Sequence, residues 1–436
     1  MRIFALLLML GFSSAASAGY KEAGEAIKGF DDPAVVKELR VLAAGQASKL
    51  AADARILPML SGNQPALQLF RQAAQETNDG YLFAPREDHP TPNTPTPVFK
   101  PHIILFRLLM IDAKLKAAAS QSALFEADML VLAKFLAQLS AQKSSKTLPA
   151  MVEQLCLAEA YQLFTASIRN PSASPAYLKQ LSAALGTEFG NRDHMRTAVE
   201  QHAEASKYAV HEKLSPEAIK EEYSKLPFWK VYTVKRIMHD EDYASVAQEY
   251  DTLINSRTRL LIGSFRFNDP APSEAFIQKL YADLKAREQA RGKSGFFSEF
   301  LDGLKGGPET KKKMKEVLLD TYAGMTMPAF EKLIPRYHLF LCQLSILRAG
   351  LAVKLYQRAR RRLPDTLAQL VPAYLSEVPQ DSFNKFAPLN YAKLGKRSLI
   401  YSFGPDKKDD GGRTALDGAA YFDDASKDAG DIVFYN

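Results

Sequence analysis

The stretch "YHLFLCQLSILRAGLAVKLYQRARRR", residues Tyr337–Arg362, decides how this 436-residue chain folds. Large apolar side chains recur on one helical stripe for about four turns, at Phe340, Leu344, Leu347, Leu351 and Leu355. The basic residues at its end suit a helix C-terminus, and Pro364 prevents the helix from continuing. Because the stripe is too long for a small unit to cover, we predict that the helix packs against both the residues before it and those after it.

The residues before this helix predict an α-helical body. Between 101 and 170 three amphipathic helices follow one another, the first with a stripe formed by Ile104, Leu108, Ile111 and Leu115. Residues 174–333 continue with more polar helices, and Ser215-Pro216-Glu217 is a typical helix start. Glycines near 303–308 indicate a mobile connection. We therefore interpret residues 101–335 as a stack of helical hairpins.

The two ends of the chain differ from this body. Residues 19–100 read as an N-terminal helical region followed by an extended linker at 85–101, where six prolines in seventeen residues exclude helix. Residues 336–436 combine the long helix with a tail whose "LNYAKL", "SLIYSF" and "DIVFYN" segments have strand composition, with a turn at Gly395–Arg397. The predicted fold is mainly α, with a small C-terminal α+β module.

The first eighteen residues predict export. They combine a basic start at Arg2, an apolar run from Ile3 to Phe12 and the small residues Ala16-Ser17-Ala18. This is the pattern of a secretory signal cleaved near Ala18, so we expect a periplasmic or secreted protein. The apolar run has about half of the ~20 residues needed to span a bilayer, so no transmembrane anchor is expected.

The charge distribution argues against a nucleic-acid-binding function, and the two cysteines allow two alternatives. The formal net charge is +7, and the two dense basic clusters, Lys311–Lys313 and Arg358–Arg362, are interpreted as solvated helix ends rather than as a nucleic-acid surface. Cys156 and Cys342 lie in apolar helical patterns. They are either joined by a disulfide in an oxidising compartment or remain as buried free thiols.

The segment "GPDKKDDGG", Gly404–Gly412, is a candidate cation site. It places Asp406, Asp409 and Asp410 close together, beside glycines that tolerate positive φ. Asp428 and Asp431 follow just before the last predicted strand, where they could return to the same place. Calcium prefers six to eight oxygen ligands, and the segment has no histidine or cysteine to favour zinc. We predict one structural Ca²⁺; the alternative is a solvated loop.

The order of motifs in the tail resembles the C-terminal domain of the G-type major pseudopilins of type II secretion. The matching residues are Pro379–Phe383, Ser402–Asp406 and Asp431-Ile432. This resemblance covers about a hundred residues and implies a calcium-binding α+β module. The whole chain is similar to large uncharacterised exported bacterial proteins that carry such a tail. It lacks the polymerising N-terminal helix of a pseudopilin, so pilin-like assembly is not expected.

Catalytic motifs are weak in this sequence. His194 and His202 are eight residues apart with Ala198 at the i+4 position, so they do not form an H-E-x-x-H zinc site. The segment "MHDEDY", Met238–Tyr243, is interpreted as a solvated turn. We therefore favour a non-catalytic exported helical scaffold or interaction protein, whose partner is an unknown envelope or secretion-system protein. The alternative is an exported hydrolase with its site in a groove of the helical body.

Overall fold

A computed structural model describes residues 20–75, 99–140, 148–186, 192–225, 227–266, 282, 308–326, 328–413 and 430–436. The predicted signal peptide lies outside the described residues. So do most of the proline-rich linker and nearly all of the glycine-rich connection near 303–308.

The described residues form a mainly helical protein with a small sheet-containing C-terminal region, which confirms the predicted fold class at this level. The helices are α1 (Tyr20–Glu25), α2 (Pro33–Ala44), α3 (Ala47–Ala52), α4 (Ile56–Gly62), α5 (Gln64–Ala73), α6 (Lys100–Ala118), α7 (Ser122–Ser140), α8 (Leu148–Arg169), α9 (Pro175–Ala184), α10 (Arg192–Lys213), α11 (Pro216–Ser224), α12 (Phe228–Ile237), α13 (Asp240–Arg266), α14 (Pro308–Thr326) and α15 (Pro328–Arg360). The strands are β1 (Gln380–Asp381), β2 (Ala387–Pro388), β3 (Asn390–Leu394), β4 (Arg397–Ser402) and β5 (Ile432–Tyr435). A short 3-10 helix, Leu367–Leu370, follows α15.

Helix starts follow local chemistry where the sequence indicated it. The Ser215 hydroxyl accepts a hydrogen bond from the backbone N–H of Ala218 at 3.2 Å, and Pro216 occupies the first turn of α11. Ser174 caps α9 in the same way, accepting from the Tyr177 N–H at 3.1 Å. Each cap satisfies a backbone donor that has no partner within the helix.

The long helix α15 begins earlier than predicted. It starts at Pro328 rather than near Tyr337, and proline is well tolerated in the first turn of a helix, where its missing N–H is not needed. At its end, Arg361 has a positive φ of 59°, and its N–H donates to the Gln357 carbonyl at 2.8 Å. This left-handed residue ends the helix before Pro364, as the sequence suggested.

Helix α15 packs on both sides, as its long stripe predicted. Leu344, Leu347 and Leu351 are at most 1% exposed. On one side the helix contacts α8 and α9 of the helical body, and on the other it contacts β1, β4 and β5. The body and the tail therefore share one hydrophobic core, which extends from Tyr20 to Phe434.

The C-terminal sheet is antiparallel, with strand order β3-β4-β5. Strands β3 and β4 form the predicted hairpin, in which Leu394 pairs with Arg397 around Gly395 at φ +65°. Strand β5 pairs with the other edge of β4, bringing Ile432 opposite Ser402. The sheet is fastened to the body by the Tyr161 hydroxyl of α8, which donates to the Val433 carbonyl at 3.1 Å.

A second, smaller core lies in the middle of the chain. It contains Val246, Tyr250 and Ile254 of α13, with Ala203 and Val210 of α10. Helix α14 closes it through Met314, which is 8% exposed. The predicted body thus contributes to two hydrophobic clusters: α6–α9 share the large core with the N-terminal region and the tail, whereas α10–α14 surround their own.

Both cysteines are free and buried, so the structure selects the second of the two alternatives for Cys156 and Cys342. Burial raises the pKa of each thiol well above its ordinary value, which makes both unreactive.

Within the described residues, one segment, Arg336–Arg360 of α15, is long and apolar enough to cross a membrane. Its most apolar window is 72% buried, which is typical of a core helix.

Candidate functional site

The loop after β4 carries the predicted cation ligands on a series of tight turns. The Asp406 carboxylate accepts the N–H of Lys408 at 3.2 Å, and the Asp409 carboxylate accepts that of Gly411 at 2.9 Å. Both bonds close local turns of the kind aspartate favours. Gly411 and Gly412 have φ of 67° and 80°, the positive values that the sequence suggested for them.

Asp431 is the carboxylate around which this loop closes. It is fully buried and accepts the N–H of Gly412 at 2.6 Å and that of Asp410 at 3.4 Å. Burial raises its pKa to about 6, and the neighbouring carboxylates of Asp410 and Asp409 add to the rise. Asp431 is therefore partly protonated in mildly acidic solution and ionised at neutral pH.

Close backbone approach fixes the other side of the loop. Gly404 has φ +70°, and a Cβ placed there would lie 2.3 Å from the carbonyl oxygen of Gly430. Only glycine can hold both this φ and this contact. The N–H of Asp431 also donates to the Arg413 carbonyl at 2.8 Å. The residues on either side of Asp431 are thus held against the loop that carries the other acids.

The structure brings some predicted ligands together and not others. The electrostatic influence on Asp431 comes from Asp409 and Asp410, whereas Asp406 acts within its own turn. Asp428 lies outside the described residues. Among the described residues, no group of three or more His, Cys, Asp or Glu side chains could hold a metal ion. The oxygen donors fit calcium in kind, but those described do not form a complete shell.

Asp381 is a buried carboxylate that sequence reasoning noted only as part of a motif. Its side chain accepts hydrogen bonds from the Phe383 N–H at 2.9 Å, the Ser402 hydroxyl at 2.6 Å and the Phe403 N–H at 3.0 Å. It is fully buried and joins the turn after β1 to the end of β4. An acid in the stretch "VPQDSF" was the available sign, but two of its three partners, Ser402 and Phe403, lie about twenty residues away.

A cavity of about 480 Å³ lies where the body meets the tail, between α9, α15 and residues 374–386. Its wall includes Ser345, Arg348 and Glu377 together with apolar side chains. The Arg348 guanidinium donates to the Leu185 carbonyl at 2.6 Å and to the Gly186 carbonyl, both at the end of α9. Burial lowers the pKa of Arg348 to about 10, and Glu377 opposes this shift. Arg348 therefore fastens α9 to α15 while facing a polar cavity.

The "MHDEDY" segment differs from its predicted role as a solvated turn. His239 is exposed, but Asp242 is only 5% exposed and forms ion pairs with Lys311 at 2.6 Å and Lys315 at 3.0 Å. Burial raises the pKa of Asp242, but hydrogen bonds from Lys311, the His239 N–H and Lys315 outweigh it and hold that pKa well below its usual range. The solvated interpretation was wrong for Asp242, because α14 packs on α13 and brings Lys311 and Lys315 to it.

No histidine or cysteine lines the cavity beside Arg348. The side chain of His194 lies outside the described residues, and partial burial lowers the pKa of His202. No family model, curated protein or solved structure matches this chain. The resemblance to pseudopilins therefore rests on the motifs of the tail and stays a prediction.

Proposed function

We propose that the chain is an exported, non-catalytic helical scaffold or interaction protein. Its C-terminal pseudopilin-like module is stabilised by calcium and presents a rigid surface to an envelope or secretion-system partner. The observation that carries this proposal is the shared packing of α15, which joins α6–α9 of the helical body and the tail in one hydrophobic core. A module fused this firmly to a large body is suited to positioning a partner.

The make-up of the cavity supports a non-catalytic role. His338 lies beside Ser382 of the cavity wall, but the Ser382 hydroxyl donates to the backbone carbonyl of His338 at 2.6 Å rather than to its ring, and Arg348 is bonded to the end of α9. A hydrolase would need a nucleophile and a base within hydrogen-bonding distance of each other. The buried ion pairs in the described body, such as Arg107 with Glu159 at 2.7 Å, join helices rather than face this cavity.

Calcium would complete the loop around Asp431. Burial is the largest cause of the raised pKa of Asp431, and repulsion from the nearby carboxylates of Asp410 and Asp409 adds to it. The side chains of Asp409, Asp410 and Asp431 are not grouped as metal ligands in the structure. Binding of a divalent cation would draw their oxygens together and supply the positive charge that offsets this repulsion. The residues of the chain hold the donors in place: Gly404 allows the close approach and Gly412 orients the carboxylate of Asp431.

Thermal unfolding of the full chain in calcium and in chelator tests this site. With a dissociation constant of about 10⁻⁵ M and ~1 mM free Ca²⁺, binding should stabilise the protein by about 2.7 kcal/mol. Asp431→Asn should abolish the calcium effect. Asp31→Asn, which removes an exposed carboxylate elsewhere in the chain, should keep it. A wild-type melting curve that ignores calcium would return the segment to a solvated loop.

Export has its own test. Expression of the full-length chain with its first residues intact, followed by fractionation and mass spectrometry of the N-terminus, should give a product that begins near Gly19. Recovery of an unprocessed chain in the cytoplasmic fraction would contradict the exported part of the proposal. The calcium measurement is unaffected by that outcome.

A further inference from the structure

Helix α12 presents two aromatic side chains to solvent. Phe228 is 84% exposed and Tyr232 is 64% exposed, and their spacing of four residues places them next to each other on one helical face. Phe228 is the most exposed large apolar side chain among the described residues. Single exposed apolar residues are ordinary, but an adjacent aromatic pair on one helix usually marks a contact surface.

The other face of α12 accounts for its position in the fold. Val234 and Ile237 are partly buried and pack against the second core. A surface helix normally pairs such an apolar inner face with a polar outer one. In α12 the outer face is aromatic instead, and neither Phe228 nor Tyr232 belongs to either hydrophobic cluster.

The charged residues of α12 itself are all positive. From Lys225 to Ile237 the sequence contains four basic residues and no acid, namely Lys225, Lys230, Lys235 and Arg236. Lys225 is already paired with Glu222 at 2.9 Å on the preceding helix. Lys235 and Arg236 are exposed, and the Lys235 ammonium lies 5.6 Å from the centre of the Tyr223 ring. The aromatic pair therefore has exposed cations at its C-terminal end.

Exposed rings and cations on one short helix match the chemistry of a membrane surface. Aromatic side chains favour the headgroup level of a bilayer, and lysine and arginine attract anionic lipids. A protein partner is less well matched, because lysine is depleted in protein interfaces. The helix has ten residues, about 15 Å, and so cannot cross the ~30 Å hydrocarbon core but can lie along its surface.

We propose that helix α12 docks the protein onto an anionic phospholipid bilayer, with Phe228 and Tyr232 entering the headgroup region and Lys235 and Arg236 contacting lipid phosphates. The formal net charge of +7 favours approach to such a surface. This surface lies over the second core, apart from the calcium loop at the end of the large one. The inference depends on neither the proposed calcium site nor the partner of the tail.

Vesicle co-sedimentation of the full chain tests the proposal. We expect binding to vesicles of phosphatidylcholine mixed with phosphatidylglycerol, and little binding to phosphatidylcholine alone. The double variant Phe228→Ala/Tyr232→Ala, and separately Lys235→Gln/Arg236→Gln, should each weaken binding by about tenfold or more. The matched control is Leu57→Ala, which removes a side chain that is 70% exposed on α4 and should leave binding unchanged.

A second readout reports from the helix itself. The chain has one tryptophan, Trp229, and it lies on α12. Vesicle binding should shift its fluorescence to shorter wavelength, and lipids brominated on their acyl chains should quench it. Circular dichroism of each variant verifies that folding is intact. Wild-type protein that fails to bind anionic vesicles, or that binds equally well when α12 is altered, would overturn the proposal.

Discussion

Gly350 of α15 lies directly against the ring of Phe434 of β5. A Cβ atom at position 350 would lie 2.7 Å from Cζ of Phe434 and 2.8 Å from Cε1 and Cε2, closer than such atoms can approach. Phe434 is fully buried. The last strand can therefore sit on the long helix only because residue 350 has no side chain.

Gly350→Ala should destabilise the protein by about 1–3 kcal/mol, because the added methyl group must displace the Phe434 ring from a packed core. Gly263→Ala is the matched control. It lies within α13 with nothing near its Cβ position, so alanine should be neutral or stabilise by about 0.5–1 kcal/mol through helix propensity. Urea unfolding of both variants measures this. Equal stability of the two variants would show that the strand can move away freely.

Asp381→Ala should cost about 3 kcal/mol, because it leaves three buried donors without an acceptor, the Phe383 N–H, the Ser402 hydroxyl and the Phe403 N–H. Asp381→Asn keeps one carbonyl oxygen and should cost less. Thermal unfolding ranks the two variants. If asparagine proved as damaging as alanine, the negative charge rather than the hydrogen bonds would be the important property.

Glu153 of α8 should make stability fall as the pH rises. Burial raises its pKa from 4.5 to about 8, partly opposed by a hydrogen bond from Ser140. Between pH 4.5 and about pH 8, the Glu153 carboxyl is protonated in the folded state and ionised in the unfolded state. The free energy of unfolding therefore decreases as the pH rises through this range. Glu153→Gln should be more stable than wild type by roughly 2–4 kcal/mol at pH 8 and equal to it near pH 4. Parallel pH profiles of the melting temperature would contradict this.

Asp431 should make calcium binding depend on pH. Its pKa of about 6 means that protons compete with the cation at pH 5, so the affinity should fall about tenfold between pH 7 and pH 5. Without calcium, the folded state keeps a proton on Asp431 that the unfolded state has released. The stability of the calcium-free protein should therefore decline as the pH rises from about 4 to 6. Isothermal titration at the two pH values checks the first effect, and Asp431→Asn should remove both.

Cys156 and Cys342 should behave as two free thiols. The denatured, unreduced protein should react with two equivalents of a thiol reagent, while the native protein should react slowly because both side chains are fully buried. Recovery of no reactive thiol after denaturation would instead mean that an exported chain forms the disulfide during folding.

Periodicity explains what could be predicted of the fold. Leu344, Leu347 and Leu351 repeat at helical spacing and are buried. An apolar stripe of this length predicts a helix that packs against neighbours on two sides. The strands around Gly395 could also be predicted, because a turn sequence lies between segments that contain Tyr391, Ile400 and Tyr401. Helices and hairpins of this kind can be predicted from a short stretch of sequence, without knowing which distant residues they contact.

What the sequence could not reveal depends on residues far apart in the chain. Asp242 looked like part of a solvated turn because Lys311 and Lys315, its partners, lie about seventy residues later. Arg348 looked like an ordinary polar position on a helix, although it binds the Leu185 carbonyl. For the cation site, the loop and its acids could be named, but the burial of Asp431 depends on how the last strand packs.

The hydrogen bond from Tyr161 to Val433 joins residues 272 positions apart, and it has a consequence for the order of events during synthesis. Helix α8 leaves the ribosome long before α15, the helix that packs on it, and before β5, which packs on α15, so its apolar face is exposed until both have been synthesised. Contacts of such high sequence separation slow folding and lengthen the period in which a nascent chain can aggregate. A chain that must wait this long for its last strand is one on which a chaperone would act during synthesis.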